Sequence, residues 1–221
     1  MRRVAEDVSV VTWGLPPGLF NAYLVGDVLV DAGIRQSSWW ILRELRERPL
    51  RALALSHVHP DHQGSSARVC GELGVPLWCG AADADAMEGG LTNYVSGRGL
   101  PRFLGRAFGG GAHPVARRLR EGDELAAGFV VLETPGHSPG HVSFWRERDR
   151  TLLAGEVLLN FGVRLSEPVR SLTTDVAANR RSVQRLAALE PALVLFAHGW
   201  PLRETRRLAL FASRLPLDSP L

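Results

Sequence analysis

A chain of 221 residues, 45% hydrophobic and 22% charged, has the material for a full core and leaves no room for a disordered majority. Its formal net charge of +3 is mild and its basic residues are scattered, unlike the runs of a nucleic-acid-binding face, and no stretch approaches the length of a membrane span. Its 26 basic residues are all Arg, which excludes Schiff-base chemistry and a lysine general base.

The chain reads as one domain over 1–221, opening in β-structure. Residues 8–13 alternate apolar and polar, and 22–25 and 28–31 flank Gly26-Asp27 as a hairpin. Ser37-Ser38 precedes Trp39, Ile41, Leu42 and Leu45, an apolar helical face that ends before Pro49. Residues 50–56 predict a buried strand. Ser65 or Ser66 caps a helix through Leu73 that Gly74 stops, and 76–79 predicts the next strand, completing a β-α-β unit. Residues 89–111 contain eight glycines and little periodicity, and are expected to form a long loop or lid. Short strands follow at 129–134, 141–145 and 151–154. Thr174 or Asp175 caps a helix with Val176, Val183, Leu186 and Leu189 on one face, 193–197 is a buried strand, and 203–215 a final amphipathic helix.

His57-Val58-His59-Pro60-Asp61-His62 puts three imidazoles and a carboxylate just beyond the end of an apolar strand. Imidazole and carboxylate suit zinc, iron or manganese. His57 and His59 lie on one side of an extended segment while Asp61 and His62 diverge, so one pair can grip one ion and the other turn toward a second. His137, Glu156 and His198 occupy similar places, each where an apolar strand gives way to a turn with a glycine beside it. Together these groups are about what two adjacent ions need once a shared water is added.

In this order the pieces resemble the metallo-β-lactamase fold superfamily of hydrolases, with a glyoxalase II-like core. The resemblance runs from about Asn21 to Gly199. It takes in Asn21-Ala22-Tyr23-Leu24, Leu29-Val30-Asp31-Ala32-Gly33, the H-x-H-x-D-H cluster, the T-P-G-H of residues 134–137, the strand-end acid Glu156 and the last histidine. It implies an α/β fold, a four-layer αββα sandwich. It also implies that His57, His59 and His137 hold one metal and Asp61, His62 and His198 the other, with two divalent ions expected, zinc foremost and Fe or Mn as alternatives. Family members carry an aspartate as the bridging carboxylate, where this chain has Glu156. The extra methylene moves the carboxylate by about 1.5 Å, against a tolerance of about 0.2 Å in metal–ligand distance. Asp31 is expected to accept a hydrogen bond from a ligand imidazole. His141 is expected to be structural and His113 a solvated loop residue.

The resemblance further implies hydrolysis by a metal-activated water, with Asp61 as the catalytic group that passes a proton to the leaving group. The 23 residues after His198 are expected to be too few for the helical domain that binds glutathione conjugates in typical glyoxalase II enzymes. Walls from residues 15–20 and 94–108, apolar with Arg98, Arg102 and Arg106, suit an acyl ester, thioester or lactone, and Tyr94 is a candidate oxyanion partner. Two other readings stay open. One is a mononuclear-iron persulfide dioxygenase using His57, His137 and Glu156; the other is a metal-binding protein with little catalysis. The expected partner is a small-molecule substrate, with neither nucleic acid nor membrane, and a homodimer is left open. Arg2-Arg3 is followed by Ala5-Glu6-Asp7 where an export signal would be apolar, so a cytoplasmic location is expected. Cys70 and Cys79 read as reduced core residues, with a disulfide left open.

Overall fold

The computed structural model describes residues 1–14, 18–90, 107–162 and 164–216. Seven described strands form the first sheet in sequence order: β1 (Arg2–Ala5), β2 (Val8–Trp13), β3 (Phe20–Val25), β4 (Val28–Val30), β5 (Ala52–Leu55), β6 (Leu77–Gly80) and β7 (Val115–Leu119). β1 through β4 pair antiparallel and β4 through β7 parallel. After it come β8 (Val130–Glu133), β9 (Val142–Arg146), β10 (Thr151–Gly155), the small hairpin β11 (Leu159–Asn160) and β12 (Leu165–Ser166), and β13 (Leu193–Phe196). The second sheet has the order β13-β10-β9-β8. The described helices are α1 (Ser38–Leu45), α2 (Pro60–Gln63), α3 (Ser66–Leu73), α4 (Ala84–Glu88), α5 (Val176–Ala188) and α6 (Arg206–Ala212).

Strand periodicity explains the layering. Val28 and Val30 of β4, Ala52 and Ala54 of β5, Leu153 of β10, and Leu193 and Leu195 of β13 share one core between the sheets. The alternate residues Leu29, Leu53 and Leu55 face the other way, onto Ile41 and Leu45 of α1, Val69 and Cys70 of α3 and Met87 of α4. Leu152, Val194 and Phe196 likewise meet Val183 and Leu186 of α5 and Leu208 and Ala212 of α6. Three apolar cores therefore separate four layers, which is the expected αββα sandwich.

The topology also decides where ligands can gather. β4, β5 and β6 run parallel, so their carboxyl ends share one edge of the first sheet. β13 is parallel to β10, and β8 is two antiparallel steps from β10, so β8, β10 and β13 end together in the second sheet. The two edges meet where Val142 N donates to Ser56 O (2.8 Å) and Asn21 N to Ala197 O (2.9 Å).

Several expected elements appear with altered bounds. The strand expected over 50–56 is trimmed to β5, and the last helix is the shorter α6. No side-chain cap serves α1, because a 3-10 turn over Arg35–Ser37 leads into it. Gly74 does end α3, in a left-handed conformation with φ 65, and Asp175 caps α5 by accepting from Ala178 N at 2.9 Å. β1, β7, β11, β12 and the short α2 and α4 were not anticipated. Most of the glycine-rich 89–111 segment, with Tyr94, Arg98, Arg102 and Arg106, lies outside the described residues, as do Leu15, Pro16 and Pro17.

Candidate metal centre

β5 stops at Leu55, and Ser56 through His59 lead to the first turn of α2, with His59 extended and Pro60 in a position that needs no amide donor. The single turn of α2 gives Asp61 and His62 to a second donor group, although the His62 ring stays 3.9 Å, centroid to centroid, from that of His57. His137 hangs from the loop after β8, Glu156 follows β10, and His198 follows β13. The structure brings these into two groups sharing one member: His57, His59, His137 and Glu156; and Asp61, His62, His198 and Glu156. In each group the donor atoms lie within 4.8 Å of one another.

Glu156 Oε2 sits at the junction. It is 3.0 Å from His62 Nε2, 3.2 Å from His137 Nε2, 3.3 Å from His198 Nε2 and 3.5 Å from His57 Nε2. Elsewhere two ring nitrogens face each other, His59 Nδ1 with His137 Nε2 at 2.9 Å and His62 Nε2 with His198 Nε2 at 3.2 Å. A metal ligated at about 2.1 Å has ligand–ligand edges of roughly 3.0 Å in an octahedron and 3.4 Å in a tetrahedron, which is the spacing seen. His57 Nε2 is fully buried yet lacks a hydrogen-bond partner among the described residues. Such an orphan costs about 1–3 kcal/mol unless something else binds it. The donor set fits divalent cations.

Partners behind the rings aim them. His62 Nδ1 donates to Asp31 Oδ2 (3.1 Å), His198 Nδ1 to Leu19 O (2.5 Å) and His137 Nδ1 to Thr173 Oγ1 (3.2 Å). His57 Nδ1 donates to Ser56 Oγ (3.1 Å), which in turn donates to the Asp31 carboxylate at 2.9–3.0 Å. Each of these four rings thereby turns its Nε2 toward the centre. Asp31 supports one histidine of each group. It sits at φ 65, a left-handed conformation that aspartate tolerates better than most residues, and its Oδ1 accepts from Ser56 N at 2.8 Å. The His137 loop is latched by buried Asp83, whose carboxylate accepts from Ser138 Oγ (2.7 Å) and Gly140 N (2.5 Å). Asn21 Nδ2 holds the His198 turn through Phe196 O and Gly199 O, at 3.0 and 2.9 Å.

Electrostatics divide the centre. Burial, reinforced by neighbouring imidazoles, pushes His57 well below its ordinary pKa and His59 down to about 3. Burial opposes protonation of His62 as well, but Asp31 and Asp61 outweigh it and raise that ring to about 10. Burial is also overcome at His198, which Glu156 and Asp61 lift well above its usual range. Glu156 is driven well below the carboxylate range against its burial, by His137 and His198. Asp61 likewise falls to about 2 against its burial, through His62 and His198.

His141 lies beneath the centre without joining either group, and His113 sits apart with Nδ1 donating to Pro114 O at 2.9 Å. Phe20 meets the His198 ring edge-on, with centroids 5.7 Å apart. Ser56, Thr173 and Asp83 were not singled out in the sequence. Ser56 had a usable signal, adjacency to the first ligand; Thr173 and Asp83 had none, because each is 36 or more residues from the group it touches.

Comparison with known proteins agrees with this geometry. Residues 15–198 match the family described as the metallo-beta-lactamase superfamily. The probable metallo-hydrolase YflN of Bacillus subtilis is 27% identical, over 86% of this chain and 84% of that protein. A hydroxyacylglutathione hydrolase of a Methylobacterium species is 32% identical over 76% of this chain, though the chain spans only 64% of that relative. Among solved structures, TTHA1623 in a di-iron-bound form superposes with a TM-score of 0.70 at 30% identity, covering 95% of this chain and 100% of that one. A metallo-beta-lactamase family protein of Thermus thermophilus, TTHA1429, has the same fold with a TM-score of 0.70 at 24% identity, over 95% of this chain and 79% of that one. With strand-end histidines, a shared carboxylate and the αββα frame all accounted for, this chain belongs to the metallo-beta-lactamase superfamily.

Proposed function

We propose that this metallo-hydrolase works with two divalent cations, zinc foremost and Fe or Mn as alternatives, and opens an acyl ester, thioester or lactone of a small molecule. His57, His59 and His137 would hold one ion, Asp61, His62 and His198 the other, and Glu156 both. The observation that carries the reading is the single oxygen Glu156 Oε2, within 3.0–3.5 Å of four imidazole nitrogens drawn from both groups. Glutamate thus reaches the junction despite its extra methylene.

The chemistry that a pair of cations held there would supply is a hydroxide near neutral pH and polarisation of a carbonyl oxygen. The chain's own residues do the rest. Asp31, Ser56, Thr173 and Leu19 O fix which ring nitrogen faces the centre. Asp61 keeps about a third of its side-chain exposure, 32%, and its Oδ2 lies 3.4 Å from His198 Nε2. It is the ionised group at the mouth of the centre, placed to carry a proton toward a departing alcohol or thiol. The name of the Methylobacterium relative, a hydroxyacylglutathione hydrolase, supports an acyl substrate. A cytoplasmic setting belongs to the same proposal, supported by the free, buried thiols of Cys70 and Cys79. Among the described residues no helix is long and apolar enough to cross a membrane.

A one-iron dioxygenase site built on His57, His137 and Glu156 would leave Asp61, His62 and His198 converged with no ion to serve, and this second donor set favours the dinuclear reading. The two are separated by stripping the protein with chelator and reloading it with Zn2+, Mn2+ or anaerobic Fe2+. Metal per chain, hydrolysis of aryl ester, thioester and lactone probes, and oxygen uptake with a persulfide are then measured. Two ions per chain and metal-dependent hydrolysis are expected. One iron with oxygen uptake, or full loading with every probe left intact, would overturn the proposal.

A further inference from the structure

His141 is buried under the centre and is in neither donor group, yet both its nitrogens are committed. Glu156 N donates to His141 Nε2 at 3.0 Å. Because Nε2 accepts, Nδ1 carries the proton, and it donates to Thr134 Oγ1 at 2.8 Å. Thr134 Oγ1 lies 2.9 Å from Ser143 Oγ, which donates to Ala154 O at 3.0 Å. This relay starts at the backbone of Glu156 and returns to the same strand two residues earlier.

The strand is irregular at this point. Leu153 pairs with Leu195 but Gly155 pairs with Phe196, so β10 carries one extra residue there, a bulge of the kind that re-aims a side chain. Gly155 has φ 62, and a Cβ on it would stand 2.6 Å from His141 Nε2. Ring and bulge are fitted to one another, and no side chain could come between them.

Resting on the dinuclear reading, we propose that His141 is a positioning residue for the bridging carboxylate: by accepting from the Glu156 amide it locks the bulge at Gly155 and sets the depth from which Glu156 Oε2 reaches the junction of the two groups. Asp83 and Asn21 hold His137 and His198 through their loops in a similar way. His141 differs in acting on the residue that both ions would share, so its loss weakens both sites together.

The test compares wild type with His141→Leu, His141→Gln and Thr134→Val. It measures zinc stoichiometry and affinity by competition with a chromophoric chelator, and the Co2+ absorption spectrum. His141→Leu is expected to lose about 10–100-fold in affinity for both ions, the usual cost of removing a group that supports a ligand from behind, and to shift the Co2+ bands. In His141→Gln the amide oxygen can accept the same N–H, so affinity and spectrum should return most of the way to wild type. Thr134→Val frees the ring's orientation and gives a smaller loss in the same direction; it stands in if the leucine variant does not fold. Wild-type affinity in His141→Leu, or in Thr134→Val in its place, would overturn the inference, as would a glutamine variant no better than leucine. Wild-type protein that takes a single ion would instead contradict the dinuclear reading, and the same variants would then test the strut on that ion's affinity.

Discussion

His59 and His62 are three residues apart on one short segment and both are buried, yet their environments drive them in opposite directions. His59 is held down to about 3 by burial and by His137, whereas Asp31 and Asp61 raise His62 to about 10 against its burial. The difference lies in what each imidazole faces. The His57 and His59 side is imidazole against imidazole, where an added proton would be repelled and desolvated. The His62 and His198 side is imidazole against carboxylates, where protons take the place that a cation would fill. A single residue type thus makes a neutral pocket beside a protonated one, which would have to release protons to accept a cation.

Removing a ligand from either side is the strongest way to break this comparison. His59→Ala and His62→Ala should each lower metal-dependent turnover by more than the ~100-fold typical of losing a supporting residue. At neutral pH His59→Ala should leave proton uptake in the ion-free protein unchanged, while His62→Ala should reduce it, as read by potentiometric titration. Equal proton uptake in the two variants would mean that the sides are not electrostatically distinct.

Proton release sharpens it next. At pH 7 the ion entering beside His57 and His59 should release no proton from those two rings, and the ion entering beside His62 and His198 should displace both of theirs. Affinity for the second ion should then climb with pH, on the order of 100-fold per unit when both protons leave. Calorimetry in buffers of different ionisation enthalpy measures this directly. The ion-free fold carries the same signature. The stabilisation from protonated His62 is complete below its ordinary 6.5 and is lost as pH rises toward about 10. Neutral His59 acts at the other end: unfolding lets it protonate, so stability falls as pH drops from 6.5 toward about 3.

Asp31→Asn is a milder probe, because it keeps the shape behind His62 and Ser56 and removes the charge. Metal affinity should fall about 10–100-fold, and His62 should titrate at lower pH by NMR. An unchanged His62 would assign its elevation to Asp61 and Glu156 instead. Smallest of all, His113→Ala should leave metal content and turnover near wild type, since His113 lies outside both groups.

How much of this was legible in the sequence follows from where each signal is stored. Seven ligand candidates sit where an apolar run meets a turn, or just beyond, and β5 and β13 read as buried strands because both faces are covered. The edge strands were hidden for the opposite reason. β1 begins with exposed Arg2 and Arg3, and β7 alternates exposed with half-buried residues through Ala116, Arg117 and Arg118, so neither shows an apolar run; charge on an edge also protects it from pairing with other chains. Asp61 and His62 share one donor group instead of diverging as an extended pair would, because they ride a one-turn helix that the sequence pattern does not show. The supports behind the ligands were the least visible. Thr173 reaches His137 across 36 positions and Asp83 reaches Ser138 across 55, distances over which no local pattern carries information. The strut between His141 and Glu156 depends on a bulge that is defined only by its partner strand.

The most direct measurement is anomalous diffraction at the metal edges from crystals grown without chelator. Two peaks are predicted, one among His57, His59 and His137 and one among Asp61, His62 and His198, with the Glu156 carboxylate between them. A single peak, or Glu156 turned away from both, would contradict a carboxylate shared by two ions.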